Sequence, residues 1–69
     1  MRSKEELKGR AEEARERNPF LVELGQRAPS PTKAAEAARM LGLNNEEEKL
    51  VKDVAILRRD YPDTLLEIL

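Results

Sequence analysis

The chain has 69 residues, with 13 Lys+Arg against 14 Asp+Glu for a formal net charge of −1, and it contains no His, Cys or Trp. That length allows one small domain, and the near-zero charge argues against a polyanion held by bulk electrostatics. Without Cys there is no disulfide framework, zinc ribbon or thiol nucleophile, and without His the commonest general base and metal ligand are both missing.

Five helices are predicted, separated by Pro, Gly and Asn. Ser3 caps the first, with Glu6 three residues on completing a capping box. This helix runs to Arg17, where Asn18-Pro19 stops it, because the residue before proline avoids the α region. Its apolar stripe is thin (Leu7, Ala11, Ala14), and Glu6→Arg10 and Glu13→Arg17 are ordered as favourable i,i+4 pairs. Such a helix belongs on the outside of a fold. Gly9 in its middle points to a close backbone approach or a local weakness.

Asn18 is the N-cap of the second helix and Pro19 its first residue. Phe20, Leu21, Leu24 and Ala28 share one side of it, and Pro29 ends it. Ser30-Pro31 repeats the device for a third helix. Ala34, Ala37, Ala38 and Leu41 are its core side, small enough to let a neighbour come close. Met40 also reads as buried. Gly42 fits the left-handed position that closes a helix, with Leu43 folding back onto Ala38 as in a Schellman motif.

Asn45 with Glu48 is the expected cap of the fourth helix, and Glu46, Glu47 and Glu48 suit the positive end of its dipole. Leu50, Val54, Leu57 and Tyr61 make the strongest seam in the chain. Val51 and Ala55 widen it, while Ile56 points away. Apolar groups on more than one side predict a central helix. Pro62 breaks it, and Asp63 or Thr64 caps a last helix carrying Leu65, Leu66, Ile68 and Leu69.

Little in this inventory carries chemistry. Asn18-Pro19-Phe20 resembles the Asn-Pro-Phe ligand motif of EH domains, but Phe20, the only Phe, opens an apolar helix face and is better placed as a core anchor. Ser30-Pro31 has the form of a proline-directed phosphorylation site and is equally the local recipe for starting a helix. Glu46, Glu47 and Glu48 splay by ~100° per residue on a helix and cannot converge on one cation.

Between Ala34 and Leu57, residues Ala38, Gly42 and Leu43 resemble the Ala, Gly and apolar residue around the turn of helix-turn-helix proteins, which would imply DNA binding. The pattern departs at Glu48, where the family has an apolar residue. The would-be recognition helix would also meet phosphates with three carboxylates. Ser occurs only as caps, and carboxylates are expected on charged surfaces, so no nucleophile–base pair can be nominated and no enzyme is expected.

Each helix has a start signal or a stop signal, and usually both. Local rules that agree at this density resemble computationally designed (de novo) helical proteins. With no apolar run long enough for a membrane span and no signal-peptide pattern, the chain reads as soluble, its compartment unspecified.

The fold class expected is all-α: residues 1–69 as a single compact domain of five unequal helices packed at mixed angles, not a simple parallel bundle. The function expected is that of a designed structural scaffold, without metal or cofactor, monomeric, binding neither nucleic acid nor membrane. The alternative is a protein-binding module, a designed binder or a natural interaction domain, using the off-seam apolar residues Val22, Ile56, Ile68 and Leu69. Exposed apolar surface separates the two, since a binder needs a contiguous anchor patch and a scaffold needs none.

Overall fold

Helices start in this chain wherever a side chain is at hand for the first unpaired amides. The computed structural model describes residues 3–69. Its elements are α1 (Lys4–Arg17), α2 (Pro19–Arg27), α3 (Pro31–Met40), α4 (Asn45–Asp60) and α5 (Pro62–Ile68), and no strand occurs among the described residues. Ser3 Oγ accepts from the Glu6 N–H at 3.1 Å, Asn18 Oδ1 from Phe20 at 3.1 Å, and Ser30 Oγ from Lys33 at 3.2 Å. Each satisfies an amide that has no partner inside its helix.

The α3–α4 turn is a Schellman motif. Gly42 sits at φ 80°, Leu43 N–H donates to the Ala38 carbonyl at 3.1 Å, and Gly42 N–H to that of Arg39 at 3.0 Å. Since the motif ends on Leu43, the next residue starts α4. The cap is therefore Asn44, not the expected Asn45. Asn44 Oδ1 accepts from Glu47 N–H at 2.8 Å while Glu47 Oε1 accepts from Asn44 N–H at 3.1 Å, a complete capping box. This shift frees Glu48, which reaches back to Arg39 at 3.1 Å.

The fifth helix also starts earlier than expected. Pro62 is its first residue and Tyr61 its N-cap, with no side-chain bond. Thr64 is inside the helix and buried, and neither it nor Asp63 caps anything.

All four other helices pack on α4; α1 also touches α2 and α5, and α2 touches α3. Around α4 the order is therefore α5, α1, α2, α3, which leaves α4 open on the side between α3 and α5. Leu50, Val51, Val54, Ala55 and Leu57 are buried along α4, with Tyr61 and Ile56 half-covered at its margins. One core results, of extents 28 × 22 × 20 Å. The Cα radius of gyration is 10.4 Å, close to the ~11 Å of a compact chain this long.

Three core assignments need correction. Phe20 is 44% exposed instead of anchoring the core. The face α2 turns inward is Leu21, Val22 and Gly25, because a residue without Cβ lets α4 come closest there. Met40 is 87% exposed, lying about 200° around α3 from buried Ala38. Leu41 is likewise exposed, because it is the C-cap and leaves the helix; Leu43 packs against the core in its stead. Gly9 is exposed on α1, with nothing within 4 Å of where a Cβ would stand; the close approach lies at Gly25.

Candidate functional site

The four residues nominated as partner contacts do not form a patch. Val22 on α2 and Ile68 on the inner side of α5 are both buried, so both belong to the core. Ile56 is half-buried and packs against that core, and only Leu69, 50% exposed, faces outward. Among the described residues, the other large apolar side chains that face outward are Phe20 at the start of α2, Met40 and Leu41 at the end of α3, and Leu66 on α5. Helix α5 touches neither α2 nor α3, so the α5 leucines stand apart from the others.

Helix α5 is two turns long and can be covered from one side only. Thr64, Leu65 and Ile68 turn inward, and Leu66, 68% exposed, turns out. Between α1 and α5 runs an open groove of about 690 Å³ whose walls include Glu12, Glu13, Glu16 and Glu67. Among the described residues lining it, the cation is Arg15, which donates to the Ile68 carbonyl and so ties the end of α5 to α1. On the open side of α4, Lys49, Lys52, Asp53 and Ile56 surround a shallower depression of about 260 Å³.

The most enclosed polar group is Asp53, 3% exposed in mid-α4, contrary to the expectation that carboxylates stay on charged surfaces. Arg10 of α1 accounts for it. Its Nε donates to Asp53 Oδ2 at 2.9 Å and its Nη1 to Glu46 Oε1 at 2.9 Å, instead of pairing with Glu6. One guanidinium thus fixes α1 against two turns of α4, and the Asp53 bond raises its pKa further. Among the described residues no group of three or more acidic side chains is arranged to hold a metal ion. None of their helices is long and apolar enough to cross a membrane.

The Arg10 bond holds Glu46 below the usual carboxylate range, and the Arg39 bond does the same for Glu48. A folded-state pKa below the unfolded one means stability that is complete above the ordinary glutamate value of ~4.3 and is lost as pH falls through the folded value. Unfolding midpoints should therefore drop as pH falls below about 5, and drop less in Glu46→Gln and Glu48→Gln than in the parent chain. Equal drops in all three would show that these pairs are not coupled to folding.

Comparison with protein-family models, with curated proteins and with solved structures finds no match for this chain.

Proposed function

We propose that this chain is a designed structural scaffold, a sequence whose role is to adopt its fold. One observation carries the reading: most helices start on a local signal, and the buried polar side chains described are paired. Three helices begin with proline at the first position, four have a side-chain N-cap, and α3 ends in a glycine-closed Schellman turn. Among the described residues, no buried side-chain nitrogen or oxygen lacks a hydrogen-bond partner. Agreement of this kind is the criterion by which a sequence specifies one structure.

Idealised sequences are typically hyperstable. The chain should unfold reversibly and cooperatively, with a midpoint above about 90 °C or above about 5 M guanidinium chloride. A melt in the ~45–65 °C range common to natural mesophile domains would overturn the reading. Nucleic-acid binding is not proposed. Helix α4, which a helix-turn-helix would insert into a groove, is the central helix here, and its first turn carries Glu46, Glu47 and Glu48.

A second reading, a protein-binding module, is favoured by α5 alone, where Leu66 and Leu69 are exposed three residues apart. It would take precedence if a chain ending at residue 62 melted where the full chain does and stayed monomeric, since α5 would then add nothing to the fold.

A further inference from the structure

Two surfaces outside the core complement each other. On α5, Leu66 and Leu69 are exposed on one side, with Asp63 and Glu67 exposed beside them. Glu67 lines the α1–α5 groove together with Glu12, Glu13 and Glu16, so the leucines border a strongly acidic surface. Arg15, whose guanidinium donates to the Ile68 carbonyl, sets one positive charge against these four carboxylates.

The opposite arrangement lies on the open side of α4. There the half-buried Ile56 forms an apolar floor flanked by exposed Lys49 and Lys52, around the depression of about 260 Å³. The carboxylate of Asp53 in its wall is bonded to Arg10 and almost fully covered, while the two lysines are exposed on the rim. Neither lysine takes part in the ion pairs among the described residues.

We infer that this chain self-associates head to tail: the α5 face of one copy seats Leu66 against Ile56 of a second copy, with Asp63 and Glu67 opposite Lys49 and Lys52. Charge complementarity selects the occupant, for an acidic rim around leucines meets a basic rim around an isoleucine. A net charge of −1 leaves little overall repulsion to oppose the contact. The two faces are different patches, so the contact is heterologous, and each copy keeps one face free for the next. Few apolar side chains take part, well short of the ~800 Å² per partner of a stable interface, so association is weak. The inference stands apart from the scaffold reading and does not depend on it.

The test is sedimentation equilibrium of the full chain from ~0.05 to ~2 mM, at about 50 mM and about 500 mM salt. The weight-average mass should climb with concentration at low salt and fall back toward the monomer at high salt. Leu66→Glu and the double variant Lys49→Glu/Lys52→Glu should each remain monomeric. Mixed, they should form a 1:1 dimer and nothing larger, because the first keeps its α4 face and the second its α5 face. That mixture also controls for net charge, since both components are more acidic than the parent.

All three positions are exposed, and a circular-dichroism melt checks that each variant folds; Leu66→Gln replaces Leu66→Glu if it does not. A parent chain that stays monomeric throughout would overturn the inference and leave the α5 face to a different partner. Association insensitive to salt, or persisting in the double lysine variant as an α5–α5 contact would, overturns it too. So does a mixture that remains monomeric.

Discussion

Truncating Leu57 to alanine should lower the unfolding free energy by about 2–5 kcal/mol, the range for a fully buried leucine whose surroundings relax only in part. Leu57 is wholly buried in α4, the helix on which every other helix packs. The lost methyl groups therefore leave a void that no single helix can fill by sliding inward. With guanidinium slopes of roughly 2–6 kcal/mol per molar for small domains, the midpoint should fall by about 0.3–2.5 M at unchanged slope. Leu66→Ala, on the exposed side of α5, should stay within about 0.5 kcal/mol of the parent. A midpoint that barely moves on truncating Leu57 would mean that the α4 seam is not the core.

The starts and stops of the helices were legible because capping is local. The hydroxyl of Ser30 and the amide it binds on Lys33 are three residues apart, and Pro31 fixes its own backbone. The seam of α4 was legible for a related reason: five buried apolar residues repeat at helical spacing along one element. The Asn44/Asn45 slip shows the limit of such reading. Both asparagines have a glutamate three residues on, and the choice falls to the Schellman turn upstream, which ends on Leu43.

Which side a short helix turns inward is decided elsewhere. On the expected side of α2, Leu21 and Ala28 are buried and Leu24 packs on the core while Phe20 stays half out, and the inward face extends to Val22 and Gly25, where α4 comes closest. Asp53 is unremarkable in sequence, and its burial follows from Arg10, 43 residues away. The candidate surface was the least legible part. Of the residues nominated, Leu69 alone is outward-facing, and Leu66, the most exposed leucine of α5, is not among them. Exposure on a two-turn helix depends on where its neighbours stand, and α1 lies almost the whole chain away.

Gly25 and Gly9 supply the second large effect, as a pair with opposite signs. An added Cβ at Gly25 would stand 2.7 Å from Val54 Cβ, 2.7 Å from its Cγ1 and 2.9 Å from the Val51 carbonyl oxygen. Neither obstacle can swing aside, since one is a β-branched side chain held by its helix and the other is backbone. Relief must come from moving α2 off α4, which loosens Leu21 and Val22 as well. Overpacking of this kind costs about 1–3 kcal/mol, more than the ~0.5–1 kcal/mol that alanine returns to a helix interior in place of glycine. Gly25→Ala should therefore destabilise the chain. At Gly9 no atom stands within 4 Å, so the helix term acts alone and Gly9→Ala should stabilise by about 0.5–1 kcal/mol. Guanidinium melts of the two variants on either side of the parent are the expected result. A Gly25→Ala midpoint at or above the parent's would show that α2 does not rest on α4 through Gly25.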